Sequence, residues 1–110
     1  MKNLVITGMG AVTPIGIGVG DYWQGILDMK CGIEKITRFH DDDLPIQIAG
    51  EVKEFDPKDY MPSKLSKETG MFMQFAYASA KEAIEQSGIN IDAEAGRIGI
   101  VMATALNGTA

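Results

Sequence analysis

The segment KNLVITGMGAVTPIG, residues 2–16, decides the fold class of this chain. Leu4-Val5-Ile6 is a short, unbroken apolar run, which is typical of a strand buried on both faces of a sheet. The loop that follows is rich in glycine up to Gly20. A buried strand that leads into such a loop is typical of α/β domains, in which binding sites form at the carboxyl ends of strands. We therefore predict an α/β fold.

The same glycines suggest a second interpretation, a dinucleotide-binding turn. That fingerprint requires a third glycine at the position of Thr13, and a helix already running at the position of Pro14. Pro14 instead continues the loop, so no helix N-terminus faces a phosphate there. We favour a structural strand and turn.

Composition restricts the class of protein. The length of 110 residues fits one small domain or a piece of a larger one. A formal net charge of −5 argues against a general nucleic-acid binder. The single cysteine cannot form an internal disulfide, and the first apolar run is too short for a signal peptide or a membrane span. We predict a soluble, cytoplasmic protein.

The spacing of apolar residues predicts the helices and strands of the first half of the chain. Asp21 is a suitable N-cap for a helix with an apolar stripe, in which Trp23 is interpreted as core, and Gly32 is expected just after its C-cap. Residues 46–52 alternate apolar and polar, as in an edge strand with one exposed face. Asp56-Pro57 predicts a capped helical turn.

The second half contains the best helix, Met71 to Ser87, which Gly88 is expected to end. Its predicted buried face consists of Phe72, Phe75, Ala76, Ala80, Ala83 and Ile84. Residues 98–103 are apolar throughout and predict a second buried strand, followed by a small-residue loop. Two buried strands need cover on both faces, and only two convincing helices are present. We therefore expect the amino-terminal part of a larger α/β protein.

Reactive residues are few. Cys31 is expected at a helix C-terminus, where the macrodipole disfavours a thiolate, and His40 is its only possible histidine partner. The cluster His40-Asp41-Asp42-Asp43 could bind a cation, but adjacent residues point in different directions, so a solvated turn is favoured. No Walker loop, zinc spacing or nucleophile elbow is visible. The residues predict no assembled active site, no cofactor and no metal.

A resemblance covers nearly the whole chain. It is carried by Trp23 and by five segments: VITGMGAVTPIG (5–16), KCGIEKITRF (30–39), IAGEVKEFDPKDYM (48–61), FMQFAYASAKEAIEQSGI (72–89) and RIGIVMAT (97–104). In these segments the chain resembles the amino-terminal quarter of the β-ketoacyl-acyl-carrier-protein synthases, most closely the type II branch. The resemblance implies an incomplete first half of a thiolase-like, five-layer α-β-α-β-α fold, a mixed sheet with helices on its faces, and residues 1–110 as the amino-terminal portion of the synthase N-terminal domain.

The resemblance also implies an activity, a decarboxylating Claisen condensation of an acyl thioester with malonyl-carrier protein in fatty-acid or polyketide-type elongation. The family's cysteine and two histidines lie beyond residue 110. Cys31 stands where the family commonly has a serine, so it is not taken as the nucleophile and no catalytic residue is assigned. The implied partners are acyl carrier protein and the two thioester substrates, with no nucleic acid and no membrane.

Two weaker assignments follow from the resemblance. Leu106 falls on the position that lines the acyl pocket near the dimer interface, although Ala103 and Ala105 replace glycines beside it. Lys64 and Lys67 remain from a basic stretch that borders the carrier-protein docking surface, whereas Glu68 and Gly70 depart from it. Those departures imply slower charge-steered docking or a different carrier.

Three hypotheses stay open for the parent protein. It is an elongating ketosynthase, which is usually a homodimer; a non-catalytic partner of the chain-length-factor type in a heterodimer; or an inactive truncated fragment of 110 residues. We rank the ketosynthase first.

Overall fold

The computed structural model describes residues 2–106 and shows a mixed α/β chain that divides into two compact units. The hairpin unit is Ala11–Phe55, and the helical unit combines Met1–Gly10 with Asp56–Ala110. The α/β class is confirmed. Each unit is described by itself below.

The hairpin unit begins with a small hairpin inside the predicted glycine loop. Strands β1 (Val12–Thr13) and β2 (Gly16–Ile17) pair antiparallel, with Thr13 opposite Gly16. The Thr13 hydroxyl donates to the Gly16 carbonyl at 2.8 Å and accepts from the Ile15 amide at 3.3 Å. The threonine that interrupts the dinucleotide fingerprint therefore closes this turn.

The tip of this hairpin lies against glycines from elsewhere in the unit. A Cβ atom on Gly25 would stand 2.7 Å from the Ile15 carbonyl oxygen, and one on Gly32 would stand 2.7 Å from the Pro14 ring. A Cβ on Gly50 would also crowd Pro14, at 3.1 Å. Pro14 and Ile15 therefore occupy space that side chains would fill at these three positions.

Helix α1 (Val19–Leu27) begins earlier than predicted. Its N-cap is Gly18, with a φ of 92° that favours glycine, and Asp21 lies in the first turn without capping it. The prediction of Asp21 as N-cap was wrong. Its carboxylate still lies at the helix end where the macrodipole favours negative charge.

Helix α1 also ends earlier than predicted. Asp28 is the C-cap, and Met29 follows with a φ of 52° in the left-handed region. Lys30 N–H donates to the Gly25 carbonyl at 2.9 Å and Met29 N–H to that of Ile26 at 3.0 Å, the two bonds of a Schellman motif. Gly32 is therefore not the residue that ends the helix.

The apolar stripe of α1 faces solvent. Gly25 is the buried residue of the helix, whereas Trp23 is 58% exposed, so the interpretation of Trp23 as core was wrong. The β1–β2 hairpin packs on the Gly25 side of the helix, and glycine there permits an approach that a larger residue would block.

Strands β3 (Ile33–Lys35) and β4 (Ile48–Gly50) form a second antiparallel pair, with Glu34 opposite Ala49. The strand predicted from alternation within residues 46–52 is confirmed, in a shorter form. In a two-stranded sheet both strands are edges, as that alternation indicated.

The helical unit starts its second segment with a short 3₁₀ turn, Pro57–Asp59, whose N-cap Asp56 accepts from the Lys58 amide at 2.9 Å. This confirms the predicted capped turn. Helices α2 (Ser63–Glu68) and α3 (Met71–Ser87) follow, and α3 has the predicted bounds. Gly88, with a φ of 67°, is its left-handed C-cap.

A short helix α4 (Ile91–Glu94), capped by the Asn90 side chain, and a 3₁₀ turn Ala95–Arg97 complete the regular structure. They lie between α3 and the apolar segment 98–103. Arg97 pairs with Glu94 at 3.0 Å across one turn.

Helix α3 carries the core of the helical unit, in which Ala78 and Met61 are buried. The N-terminal segment packs directly on this helix: a Cβ on Gly8 would overlap the Ala83 carbonyl, and one on Gly10 that of Ser79. The predicted buried face was partly wrong, because Ile84 is 37% exposed. Because the side chains of Ser79 and Ala83 are small, the backbone around Gly8 and Gly10 can pack directly against α3.

The two predicted buried strands are not strands in the structure. Leu4-Val5-Ile6 and residues 98–102 have no regular secondary structure, and Leu4 and Val101 are 99% and 95% exposed. Neither segment pairs with another strand within residues 2–106. An apolar run forms a strand only when a neighbour supplies the hydrogen bonds.

Candidate functional site

A cleft of about 530 Å³ in the hairpin unit lies where its two hairpins and α1 meet. Its lining is strongly charged, with Lys30, Lys53 and five acidic residues: Asp21, Asp28, Glu34, Glu51 and Glu54. Cys31 also lines it. Ligand sites are usually mostly apolar with a few placed polar groups, whereas seven of the residues that line this cleft are charged.

Glu51 forms a hydrogen-bonded polar cluster with Thr37 and Arg38. Its carboxylate accepts from the Thr37 hydroxyl at 2.8 Å, from the Thr37 amide at 3.1 Å and from the Arg38 amide at 3.2 Å. The hydrogen bond from the Thr37 side chain leads the contributions that lower the pKa of Glu51. Glu51 therefore links the residues after β3 to the residue after β4.

A second carboxylate link crosses the same hairpin. Lys53 Nζ donates to Glu34 and forms an ion pair with it. This hydrogen bond lowers the pKa of Glu34 and raises that of Lys53. Both side chains are about half exposed, so the pair contributes little to stability. The charged residues Glu34, Glu51 and Lys53 of the cleft thus take part in contacts within the hairpin.

Cys31 has no catalytic partner among the described residues. Its thiol is exposed and lies 3.7 Å from the Ile33 carbonyl oxygen, which accepts its weak hydrogen bond. His40 instead lies 3.2 Å from Asp42. The structure does not bring the two residues together as a nucleophile and base.

The acidic run after His40 forms a turn. The Asp41 carboxylate accepts from the Asp43 amide at 3.0 Å, as in an Asx-turn. Within residues 2–106 no three histidine, cysteine or acidic side chains converge as metal ligands.

Lys64 and Lys67 lie on α2, one turn apart, and both are exposed. Glu68 and Lys58 lie nearby in the chain, so the cations are interspersed with a carboxylate. The structure shows these lysines to be accessible.

Leu106 is 75% exposed and lies at the end of the described chain. Asn107 and the rest of the predicted loop, through residue 110, lie outside the described residues. Leu106 is therefore not seen to line a pocket within residues 2–106.

Sequence reasoning missed Glu51 and its partners. Thr37 and Glu51 are 14 residues apart and join only when β3 and β4 pair in register. The available signal was the strand-like segment before each of them, residues 33–36 before Thr37 and residues 46–50 before Glu51. Within the described part of the chain, no helix is long and apolar enough to cross a bilayer.

Comparison with known proteins assigns the class first. The family model for the β-ketoacyl synthase N-terminal domain matches residues 1–110. The solved structure of the ishigamide ketosynthase/chain length factor superposes with a TM-score of 0.69 at 32% identity, over 80% of this chain and 22% of that chain. The chain therefore belongs to the β-ketoacyl synthase family.

Curated relatives specify the branch. A 3-oxoacyl-[acyl-carrier-protein] synthase 2 from Coxiella burnetii is 42% identical over 108 residues, which are 97% of this chain and 26% of the relative. The enzyme of the same name from Synechocystis is 38% identical over the same shares. The resemblance to the type II condensing enzymes is confirmed. The chain spans about a quarter of the length of these relatives.

Proposed function

We propose that this chain is the N-terminal portion of a 3-oxoacyl-[acyl-carrier-protein] synthase that elongates acyl chains in fatty-acid biosynthesis. The carrying observation is the 42% identity to such a synthase over 97% of the chain. In this proposal the parent enzyme is a cytoplasmic dimer that uses acyl- and malonyl-carrier protein. Residues 1–110 supply the beginning of the first half of a five-layer, thiolase-like fold.

The proposed reaction is an acyl transfer followed by a decarboxylating condensation. A cysteine thiolate forms a thioester with the acyl chain, and two histidines promote loss of CO₂ from the malonyl donor and stabilise the enolate oxygen. Within residues 2–106 no cysteine–histidine pair is assembled. These groups therefore belong to other parts of the parent polypeptide, and this chain contributes scaffold.

Activity of the complete reading frame that contains this sequence tests the proposal. We expect the purified parent to release CO₂ from malonyl-carrier protein and extend an acyl-carrier protein by two carbons. The Cys31→Ala variant should retain this rate, because Cys31 is exposed without a base. A parent that fails to condense, or an inactive Cys31→Ala variant of normal stability, would contradict the proposal.

Lys64 and Lys67 are proposed to border the carrier-protein docking surface. Both lie on one short helix with access to solvent, and a carrier with an acidic face would be steered by them. The Lys64→Glu/Lys67→Glu variant of the parent should raise KM for the carrier substrate several-fold at low salt and much less at high salt. Lys35→Glu, an exposed lysine of the hairpin unit, is the matched control and should leave KM unchanged.

Leu106 is proposed to line the acyl pocket when the parent is complete. Its exposure in this chain leaves the side chain available to a covering element. Leu106→Phe in the parent should shorten the longest acyl chain accepted, and an unchanged product distribution would contradict this assignment.

A second candidate is a non-catalytic chain-length-factor subunit, which is favoured by the structural similarity to the ishigamide ketosynthase/chain length factor. The two candidates differ at the nucleophile. A parent with glutamine at that position should be inactive alone and should form a stable heterodimer with an active ketosynthase, whereas a cysteine there supports the enzyme.

A further inference from the structure

Helix α2 is too short to be stable by itself. It contains six residues, Ser63–Glu68, and its N-cap Pro62 provides no side-chain hydrogen bond. Isolated helices of this length are marginal in water, because forming the first turn is costly and few further hydrogen bonds follow it. The position of α2 therefore depends on contacts with other parts of the helical unit.

The C-terminal end of α2 is attached to α3 through one side chain. The last four carbonyl groups of a helix have no partner within the helix. Gln74, from the first turn of α3, donates through Nε2 to the Ser66 carbonyl at 2.9 Å and to the Thr69 carbonyl at 3.0 Å. The Thr69 hydroxyl donates to the Leu65 carbonyl at 2.8 Å. A single amide group thus joins both α2 and the residue that follows it to α3.

The attachment by Gln74 is partly shielded from water. Gln74 and both residues whose carbonyls it binds are half-buried. A hydrogen bond that is shielded from bulk water is electrostatically stronger, and loss of the donor would leave two half-buried carbonyl groups without their partner. Gln74 therefore holds the end of α2 in one place.

Helix α3 also holds the chain that leads into α2. Lys81 Nζ donates to the Tyr60 carbonyl at 3.3 Å, and Met61, the next residue, is buried. Segment 60–69 is therefore attached to α3 at both of its ends. This arrangement presents α2 at a fixed position on the helical unit.

The exposed face of α2 carries its cations. Leu65 and Ser66 are half-buried, whereas Lys64 and Lys67 are exposed. Within residues 2–106 neither lysine belongs to an ion pair. The same short helix thus has one face attached to the unit and one face with two available positive charges.

We propose that Gln74 is a positioning residue for carrier-protein docking: its two hydrogen bonds fix α2 on α3 and thereby fix where Lys64 and Lys67 meet the carrier. This inference rests on the docking role proposed above for the two lysines. The effect of Gln74 passes through α2, so it belongs to recognition of the carrier and not to the chemical step. Charge complementarity sets the rate of encounter, and it depends on where the charges are placed.

Gln74→Met in the parent protein tests the inference, because methionine has a similar length and cannot donate to the two carbonyls. We expect KM for acyl-carrier protein to rise about threefold at low salt with kcat unchanged, since misplaced charges slow the encounter. KM for a small acyl thioester without carrier protein should stay the same. Gln86→Met is the matched control, because Gln86 also lies on α3 and binds backbone, at the Met9 amide, and it should leave both KM values unchanged.

Two further measurements separate positioning from a general loss of stability. In a Lys64→Ala/Lys67→Ala background, Gln74→Met should change KM for the carrier by less than about 1.5-fold, because the placement of α2 matters only while it carries the cations. Hydrogen–deuterium exchange of residues 63–69 should be at least about fivefold faster in Gln74→Met, whereas exchange of residues 76–85 should stay the same.

Thr69→Val is a second variant in case Gln74→Met does not fold. It removes only the hydroxyl that donates to the Leu65 carbonyl, so it should raise KM for the carrier in the same direction by a smaller factor.

The possible outcomes distinguish the inference from the docking proposal on which it rests. If Lys64→Glu/Lys67→Glu raises KM and Gln74→Met does not, the positioning role of Gln74 alone is wrong. If the lysine variant leaves KM unchanged, the docking proposal is wrong and the inference is wrong with it. An equal rise in Gln86→Met, the same rise without the lysines, or unchanged exchange in α2 would also overturn the inference.

Discussion

The two hairpins of this chain and its two apolar runs behave in opposite ways. Strands β3 and β4 form although each contains only three residues, and β1 and β2 form with two each. Leu4–Ile6 and Ile98–Met102 are more apolar and remain unpaired among the described residues. Hydrophobic composition therefore makes a segment suitable for a sheet, but only an available neighbour makes it a strand.

Sequence distance explains the contrast. The partners of β1 and β3 lie a few to about a dozen residues away, so closing each hairpin costs little chain entropy. Turn chemistry at Thr13 and the Glu51 carboxylate then stabilise the two closures. The apolar runs have no such local partner among the described residues. Four changes test how each region is held, from the largest expected effect to the smallest.

Gly10→Ala tests whether backbone contact with α3 positions the unpaired N-terminal run. The new Cβ would overlap the Ser79 carbonyl, and overpacking against backbone that cannot move should lower the free energy of unfolding by about 2–3 kcal/mol. Urea unfolding followed by the far-UV circular dichroism of α3 measures the change. Gly96→Ala is the control, because a Cβ added there would meet no atom within 4 Å; it should change stability by under about 0.5 kcal/mol.

Gly25→Ala tests how closely the β1–β2 hairpin packs against α1. Alanine favours helix, yet here its Cβ would lie 2.7 Å from the Ile15 carbonyl, so we expect a loss of about 1–2 kcal/mol. Gly20→Ala is the matched control in the same helix, with open space around it, and should gain about 0.5 kcal/mol. Trp23, the single tryptophan, reports the hairpin unit by fluorescence. Equal effects at both positions would show that the hairpin does not pack there.

Met29→Gly tests the backbone strain in the Schellman motif that ends α1. A non-glycine residue at a φ of 52° is strained, so the substitution should stabilise the hairpin unit by about 1 kcal/mol. Met29→Ala keeps the strain while removing the exposed side chain, and it should leave the thermal midpoint nearly unchanged. A gain with alanine equal to that with glycine would assign the effect to the side chain instead.

Glu51→Gln tests the carboxylate link between the ends of β3 and β4. The pKa of Glu51 is lowered in the folded chain, so the stability it contributes is present above the ordinary glutamate pKa of about 4.3 and is lost as the pH falls below it. Unfolding of the hairpin unit across the acid range around that pKa should therefore depend less steeply on pH in the variant. Glu34, whose pKa is also lowered, should leave a residual slope. Identical slopes would show that Glu51 is not a linked group.

The prediction of individual elements succeeded where the signal was local. Helix α3 has its predicted bounds, because one apolar pattern and Gly88 define it. Asp56 caps the separate turn Pro57–Asp59, as expected. The ends of α1 were wrong because Gly18 and Met29 adopt positive φ angles that composition alone does not reveal. For the candidate site, the sequence predicted no assembled chemistry at Cys31; in the structure its thiol donates to the Ile33 carbonyl, and His40 lies beside Asp42.

The sequence by itself determined the α/β class, because helical and strand patterns are local properties, and it determined the family, because the resemblance runs through five segments of the chain. Only the tertiary structure decided which apolar segments are paired, which face of α1 is covered, and that Gly8, Gly10 and Gly25 serve close backbone approach. Those outcomes depend on contacts between residues far apart in the chain, and the free energy of such contacts cannot be read from any one segment.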